Sequence, residues 1–495
     1  MKNIITILAL LLISISDIFS ASYTVTKTAD DLTSGTLRSA IISSNAAGGS
    51  NTITITTTGT IVLTSALPVI TTPVVINCTD ASGITISGNN LYRIFEVSIA
   101  TGTVTFKNLN ILNGKGDGGG GGIFAITSAT GKIICENCSF TGCSAIGSQA
   151  YGGAIQSSAD VDLLNCTLTG NSAIDGGGAI EILDALAVLT INHCTIYQNS
   201  TVSSDIAGGI DLYLGKLNMT NSIVANNTNG NASGARDVSK DAGNSNTNIS
   251  NYNIYTTAPF SGANDLTNKT IGQIGVSALT NNGGKVKTMR IALSSIARNA
   301  GTGSIATDAR ELAREGIVDI GAFESLSPTA TTNSATVITN TTAVLNGVLD
   351  GKGYTVSLAE FEYGYSTGNY AQTQTATLSG GTTASYSLTS QTPGSTVYYR
   401  LAITVDGFKF YGLEKTLTLM LPTDIDEQNS LKQLGYIHKS KQLSVNGLFD
   451  YVEVFDATGK LVQRTKSNSL KLNGQGMVIV RLHSNGKITT QKIVL

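Results

Sequence analysis

The sequence has no tryptophan, only three histidines, and acidic and basic side chains at just 13% of its 495 residues. It contains no phosphate-binding loop, nucleophile elbow or metalloprotease helix motif, so the enzyme classes built on those motifs are excluded. Its net charge of −2 gives no electrostatic basis for binding nucleic acid. The charged helix formers lysine, arginine and glutamate are few, whereas glycine, threonine, serine and asparagine are abundant. That composition is typical of β architecture with many turns.

Long apolar runs are also scarce. The longest one, residues 4–15, follows Lys2 and precedes small residues, which is the pattern of a secretory signal peptide. It is too short to cross a bilayer, and no second run of this kind occurs. We therefore predict a signal peptide over residues 1–22, recognised by the Sec translocon, and an exported protein.

What the sequence does contain is a repeat of about 28 residues. Its third position falls at Asn108, Asn137, Asn165, His193 and Asn221, at steps of 29, 28, 28 and 28 residues. The sixth position is always apolar, and apolar residues alternate with period two. A fixed period in the twenties with this alternation indicates a solenoid in which each repeat adds one coil. Stacked coils would align equivalent residues in ladders, and His193 is assigned to the asparagine ladder rather than to chemistry.

A glycine pair that ends in isoleucine recurs between the repeats, at residues 121–123, 152–155, 177–180 and 208–210. Glycine permits tight corners and close backbone approach, so each coil is expected to have a glycine corner between two strands. The entry segment, residues 22–55, contains T-V-T, A-D and T-L-R-x-A-I and resembles the entry of bacterial secreted right-handed β-helix proteins. A short helix near residues 34–41 is expected to cap the first coil. Residues 316–324, GIVDIGAFE, resemble the ending of the same group, which implies a right-handed parallel β-helix over residues 23–325.

Residues 328–420 contain short strands separated by turns and resemble a fibronectin type III module. The resemblance rests on TPGSTVYYRL at residues 392–401, and it makes Tyr398 the expected corner tyrosine that bonds back to the backbone. The predicted fold class is therefore all-β, a right-handed parallel β-helix followed by two small β-sandwich domains.

The second of those domains, residues 425–495, resembles the C-terminal sorting domain of type IX secretion cargo. The similarity lies in FDATGKLV, LKLNGQGMVIVR and the final GKITTQKIVL, although Met477 stands where the family usually has an aromatic residue. The resemblance implies that the type IX secretion machinery carries the protein through the outer membrane. Cleavage near the linker at residues 421–430 and attachment at the cell surface would usually follow.

Six cysteines lie between positions 78 and 194. Cys138, Cys166 and Cys194 share one repeat position, where stacked buried thiols would pack well. A disulfide is the first alternative. A metal site is the second, because Cys135, Cys138 and Cys143 form C-x2-C-x4-C, but the histidines or second cysteine pair of a zinc site are largely missing.

Four residues directly follow the glycine corners and are the candidate ligand-binding row: Phe124, Gln156, Glu181 and Asp211. If this position is exposed, Glu181 and Asp211 would lie within ~5–6 Å on adjacent coils. Carboxylates at that range share a proton, bind calcium, or act as acid and base, whereas solvated or structural roles are the alternative. No resident cofactor is predicted, calcium being the one candidate.

The two functions that fit this row belong to different classes. The first is a non-enzymatic, surface-displayed adhesin or glycan-binding protein, whose flank offers aromatic side chains, Tyr151, Tyr197, Tyr213 and Phe124, to a polysaccharide or surface ligand. The alternative is a polysaccharide lyase or glycoside hydrolase with Glu181 and Asp211 as its catalytic carboxylates. Basic residues are sparse between positions 100 and 230, and no dense catalytic constellation is visible, which favours binding.

Overall fold

The computed structural model describes residues 20–126, 131–231, 236–257, 262–303, 305–421, 434–437, 440–473 and 475–495, of which 434–437 are described by their backbone only. Most of the predicted signal peptide and nearly all of the 421–430 linker lie outside the described residues, as does one residue of the LKLNGQGMVIVR segment. Among the described residues, no helix has both the length and the apolar character that a membrane span requires.

Residues 22–255 form a parallel β-solenoid of about eight turns, built from four sheets, A to D, in which strands from successive coils pair in register. The predicted parallel β-helix is therefore confirmed. Sheet A contains Ser22–Val25, Asn51–Ile55, Val74–Cys78, Gly102–Lys107, Gly131–Glu136, Asp160–Leu164, Val188–Asn192, Lys216–Thr220 and Ile249–Asn251. Sheet B contains Gly59–Val62, Ile84–Ser87, Leu109–Leu112, Ser139–Thr141, Thr167–Thr169, Thr195–Tyr197, Ile223–Ala225 and Ile254–Tyr255. Sheet C contains Phe95–Val97, Ile123–Ala125, Ile155–Ser157, Ile180–Ile182, Ile210–Leu212 and Val238–Lys240, and sheet D contains Lys115–Gly119, Ser144–Tyr151, Ser172–Ala173 and Ser200–Thr201.

The expected capping helix is present as α1, Leu37–Ala47, which packs buried apolar residues on the first coil. The Arg38 guanidinium makes two 2.9 Å bonds to the Asp30 carboxylate. It also donates to the carbonyl oxygens of Ser65 and Ala66. Arg38, the arginine of the entry motif, thus connects helix α1 to the segment that follows strand Gly59–Val62 of sheet B.

The asparagine ladder forms through side-chain amides, as expected. Asn137 donates to Asn108 at 3.1 Å, and Asn165 donates to Asn137 at 3.2 Å. All five ladder residues have φ between 50° and 59°, the left-handed region that asparagine tolerates better than most residues. The ladder position therefore selects asparagine for its backbone conformation as well as for its amide.

A second asparagine ladder was not predicted. Asn171, Asn199 and Asn227 are almost fully buried, and each carboxamide bonds to the next at 2.8–2.9 Å. The Asn227 amide ends the chain of bonds by donating to Asp237 at 3.1 Å. Each side chain also accepts a backbone N–H of the preceding coil, so these residues satisfy buried backbone donors at a corner.

All six cysteines are buried free thiols, which decides between the three alternatives in favour of stacking. The Cys166 N–H lies 3.3 Å from the Cys194 sulfur, so the ladder packs directly from coil to coil. Burial raises the pKa of the Cys138 and Cys194 thiols and raises that of Cys143 to about 12. The reactive thiolate form of these three cysteines is therefore suppressed in the folded protein.

We expect none of the six thiols to react with a water-soluble disulfide reagent while the protein is folded, and all six to react once it is denatured without reductant. Absorbance of the released thiolate counts them directly. Four reacting thiols in the denatured protein would reveal one disulfide and contradict the stacked-thiol interpretation.

The parallel coils end at Tyr255, short of the predicted limit of 325. Residues 262–303 and 305–324, here called the covering segment, contain helix α2, Ile271–Ile274, and an antiparallel pair, Val276–Thr280 with Thr288–Ile291. This segment runs along the asparagine ladder. Asn221 bonds Thr302 at 2.9 Å in both directions, the Asn165 amide donates to the Thr307 carbonyl at 3.0 Å, and the Asn108 amide donates to Glu311 at 3.2 Å.

The GIVDIGAFE motif closes the covering segment with buried charges. Arg314 and Glu324 form an ion pair of 2.9 Å in which both side chains are 1% exposed. Arg310 pairs with Asp308 at 2.6 Å, and its guanidinium lies 3.8 Å from the centre of the Phe323 ring. The motif therefore serves as an ionic clamp rather than as a further coil.

The described residues that follow the covering segment form antiparallel sheets, as the fold class predicted. The strands up to residue 418 are Thr329–Thr336, Ala343–Asp350, Val356–Gly364, Gln372–Thr375, Thr377–Ser379, Thr383–Leu388, Thr396–Val405, Phe408–Tyr411 and Lys415–Thr418. The tail contains Leu434–Ile437, Gln442–Val445, Tyr451–Phe455, Leu461–Thr465, Ser469–Lys471, Met477–Ser484 and Lys487–Val494, and its two sheets share one apolar core. Tyr398 was the tyrosine expected to bond back to the backbone, but it is the buried Tyr399 whose hydroxyl donates to a backbone carbonyl, that of Asn333, at 2.9 Å.

The chain divides into two compact units. One comprises the described residues up to 334 together with 345–386 and 398–415, and the other comprises 335–344, 387–397 and the described residues from 416 to 495. Residues of the predicted 328–420 module belong to both units. The predicted domain boundaries, 23–325, 328–420 and 425–495, stay predictions.

Candidate functional site

The four candidate residues lie side by side on sheet C. The paired strands place them in one in-register row that runs along the coils and contains Glu96, Phe124, Gln156, Glu181, Asp211 and Ser239. The predicted adjacency of Glu181 and Asp211 is therefore observed. Their role in binding stays a prediction.

A cleft of about 980 Å³ lies over this row, from Phe124 to Ser239. Its walls include Tyr151, Tyr213 and three further aspartates, Asp175, Asp205 and Asp241. The exposure on which the sequence argument was conditional is absent at the central residues: Gln156, Glu181 and Asp211 are only 6%, 2% and 5% exposed and form the floor of the cleft. Tyr197 was also misplaced, because it is buried on sheet B against the covering segment.

The glycine corners are what bring the backbone close to these side chains. The Gly177 N–H donates to the Glu181 carboxyl at 2.8 Å. A Cβ at Gly176 would lie 2.5 Å from the same oxygen, and one at Gly119 would overlap the Gln156 side chain. With its carboxamide turned so that the nitrogen donates, Gln156 bonds the carbonyl oxygens of Gly118 and Tyr151, 3.2 Å from each. These corner positions must therefore be glycine, because a larger side chain would collide with the buried polar groups of the row.

Glu181 and Asp211 share a hydrogen bond between their carboxyl groups. The Ser239 hydroxyl accepts the Ala207 N–H at 2.8 Å, so its single proton is donated to Asp211. Burial raises the pKa of both carboxyl groups, and that of Glu181 is raised the more strongly, so we assign the shared proton to Glu181. Burial first, and then the charge of Asp211, raise the pKa of Glu181 well above its ordinary value of 4.5. The two carboxyl groups together therefore hold one proton and one negative charge, as coupled carboxyl groups in contact generally do.

Replacing Glu181 with glutamine is expected to make the protein more stable than wild type at neutral and alkaline pH. Because the folded-state pKa is raised, the folded protein keeps a proton that the unfolded chain loses above about pH 4.5, and the wild-type free energy of unfolding falls as pH rises. Glutamine cannot ionise and still donates to Asp211.

Thermal unfolding of both proteins across the pH range tests this expectation. The two midpoint curves should meet near pH 4.5 and diverge as pH rises. Curves that stay parallel would mean that Glu181 holds no proton in the folded state.

One end of the row already holds a cation. Arg93 lies 2.7 Å from the Glu96 carboxylate, and its guanidinium is 4.1 Å from the centre of the Phe124 ring. Glu96 and Ser239 were missed because no glycine pair ending in isoleucine precedes either one. The signal that was available is a polar residue between two apolar ones, in Phe95–Val97 and, less cleanly, in Val238–Lys240.

The charged groups of the cleft are mostly acidic. Among the described residues that line it, five carboxyl side chains face a single cation, Lys240, which donates to the Asn246 carbonyl at 2.8 Å. Within the described part of the chain, no three or more His, Cys, Asp or Glu side chains are grouped so as to hold a metal ion. The calcium prediction stays untested.

His193 occupies the ladder position that its spacing predicted. Its Nε2 lies 3.1 Å from the Asn221 amide nitrogen, which donates to it. Burial, and then the charge of Arg314, lower its pKa from 6.5 to about 3, so the imidazole is neutral. It lies on the side covered by residues 262–324 and takes no part in the cleft.

No family model matches this chain, and no curated protein matches it. Among solved structures, two of the sensor domain of the anti-sigma factor RsgI4 from Pseudobacteroides cellulosolvens are 19% and 18% identical. Each match covers 20% of this chain, and 99% and 96% of those chains, with TM-scores of 0.16 and 0.17. Chitinase ChiW from Paenibacillus sp. str. FPU-7, a cell-surface-expressed multi-modular enzyme, is 11% identical over 73% of this chain and 23% of its own, with a TM-score of 0.16. Likenesses this weak carry no argument about the function of this chain.

Proposed function

We propose that this protein is an exported, surface-displayed β-helix protein that binds a polysaccharide in the cleft on sheet C. The observation that carries the proposal is a cleft of about 980 Å³ in which a tyrosine, Tyr213, 49% exposed, stands beside a row of polar side chains. Aromatic faces stack on sugar rings, and fixed polar groups bond their hydroxyls. The volume is at the upper end of the range of small-molecule sites.

The direction of the row supports a linear ligand. Phe124 and Ser239 are separated by four coil steps, which at ~4.8 Å per step is roughly 19 Å along the axis. A polymer lying along the axis would meet one polar side chain per coil. A compact ligand would use only part of the cleft.

The geometry of the carboxyl pair favours binding over hydrolysis. Glycoside hydrolases hold their two carboxyl groups ~5–5.5 Å apart when they retain configuration and ~6.5–9.5 Å apart when they invert it. Glu181 and Asp211 are in direct hydrogen-bond contact, which leaves no room between them for a glycosidic bond or a water molecule. Their burial also limits contact with a scissile bond. The enzyme alternative is therefore the weaker one.

Binding of the complete protein to a panel of soluble polysaccharides tests the proposal. Tyr213→Ala is expected to weaken binding of the best ligand by about five- to tenfold, because one stacking contact is lost. Tyr365→Ala is the matched control, since Tyr365 is similarly exposed and lies outside the cleft. Equal affinities for wild type and Tyr213→Ala would refute binding in the cleft, and shortened polymer in the same mixtures would restore the enzyme alternative.

We also propose that residues 425–495 address the protein to the type IX secretion machinery after Sec-dependent export, and that residues 328–420 are a fibronectin type III-like spacer. The sequence segments of the tail support the first assignment, and the Tyr399 hydroxyl bond supports the second. Deleting residues 425–495 should leave the protein in the periplasm. Surface display that survives the deletion would refute the sorting assignment.

A further inference from the structure

We infer that the polymer bound in this cleft carries protonated amino groups. The inference rests on the proposed function and names the chemical class of its ligand. Two independent features of the cleft select a cation: the charges of its walls and the aromatic faces beside them.

The first feature is the charge of the lining. With one proton shared by the Glu181–Asp211 pair, the described lining residues hold four carboxylates against the single ammonium of Lys240. Asp205 and Asp241 are exposed at the rim, where they act on an approaching ligand. A polymer of uronic acids would be repelled by this field, whereas one bearing amines would be attracted.

The second feature is aromatic. Gly176 lies between Tyr151 and Glu181, since a Cβ there would come within 2.8 Å of the Tyr151 ring and 2.5 Å of the Glu181 carboxyl group. Tyr213 and Asp175 line the same cleft, so the two tyrosines and the carboxyl groups converge on the same space. Tyrosine rings attract ammonium groups through their faces, and cages of aromatic rings are a common way to bind them. A neutral sugar would use the rings but not the carboxylates.

The same row already binds a cation in this manner. At its first position the Arg93 guanidinium is held between the Glu96 carboxylate and the face of the Phe124 ring, at 2.7 Å and 4.1 Å respectively. Further along, Glu181 and Asp211 provide the carboxyl groups, and Tyr151 and Tyr213 provide the rings. No basic side chain of the described residues is bonded to that pair. A ligand ammonium would contact these carboxyl groups and rings as Arg93 contacts Glu96 and Phe124 at the other end of the row.

Calorimetric titration of the complete protein with two sugar oligomers of one backbone tests this inference. The probes are a β-1,4-linked glucosamine oligomer and the same oligomer with every amine acetylated, at a slightly acidic pH where the free amines are charged. The glucosamine oligomer should bind about tenfold more tightly, and its affinity should fall as salt is added. Asp205→Asn should weaken binding of the glucosamine oligomer several-fold and weaken binding of the acetylated oligomer much less, whereas Glu315→Gln, at an exposed acid outside the cleft, should change neither.

The outcomes separate the ligand class from the proposed function. Equal binding of the two oligomers, or tighter binding of the acetylated one, would overturn the inference and leave polysaccharide binding standing. Preference for a galacturonate oligomer would overturn it as well. Binding of no oligomer and no polysaccharide would overturn both the inference and the proposed function.

Discussion

Replacing Arg314 with methionine is expected to lower the free energy of unfolding by about 3–5 kcal/mol, because the substitution leaves a buried charge without its partner. Arg314 pairs with Glu324 at 2.9 Å, and both side chains are 1% exposed. The same guanidinium donates to the Gly321 carbonyl and to the Asn165 side chain, each at 3.0 Å. Its loss would therefore loosen the covering segment from the asparagine ladder as well as isolate Glu324.

Lys352→Met is the matched control for this change. Lys352 forms an ion pair with Asp350 at 2.8 Å, but both side chains are at least a third exposed. Exposed pairs of this kind contribute at most about 1 kcal/mol. Urea unfolding of the three proteins measures both effects, and equal losses for the two substitutions would contradict the clamp assigned to the GIVDIGAFE motif.

Replacing His193 with asparagine is expected to make the protein markedly more resistant to acid. The folded-state pKa of His193 is lowered from 6.5 to about 3, so between these pH values the unfolded chain binds a proton that the folded protein does not. As pH falls through this window, protonation of His193 in the unfolded chain lowers the wild-type free energy of unfolding by about 1.4 kcal/mol per pH unit. The total loss at pH 3 is roughly 5 kcal/mol. Asparagine removes this loss because it does not titrate.

The substitution is designed to preserve the ladder. His193 has φ of 50°, within the range of its asparagine neighbours, and an asparagine there can still accept the amide of Asn221. Near pH 7 the two proteins should differ by less than about 1 kcal/mol, since the histidine is neutral in both states. Acid unfolding followed by circular dichroism gives the comparison, and identical acid midpoints would mean that His193 is not held neutral by burial.

Much of the fold was predictable because the signals lie in single coils. The spacing of Asn108, Asn137 and Asn165 encodes both the coil length and the ladder, and the structure places their amides in contact. The left-handed backbone at those positions was not inferred, although asparagine itself was the clue. The repeat spacing does not show where the parallel coils stop, which is at Tyr255, and the GIVDIGAFE motif lies beyond them in the covering segment. Its contacts with Asn165 join residues about 140 positions apart, which no local pattern encodes.

The sequence predicted which residues of the candidate site lie side by side, but not how deeply they are buried. Each glycine corner fixes the position of the residue after it, so Gln156, Glu181 and Asp211 could be aligned from spacing alone. The cleft over that row is lined by side chains such as Tyr151 and Tyr213, which stand outside the repeat pattern. Tyr197 shows the opposite case, since another segment of the chain covers it. Whether a repeat position faces solvent is set by contacts between distant segments.

A structure of the complete protein bound to the glucosamine oligomer tests the central claim most directly. The account predicts an oligomer that follows sheet C across the coils of Gln156, Glu181, Asp211 and Ser239, with a sugar ring against Tyr213 and an amine beside the carboxyl pair. An oligomer bound elsewhere on the protein, with the cleft left free of sugar, would contradict it.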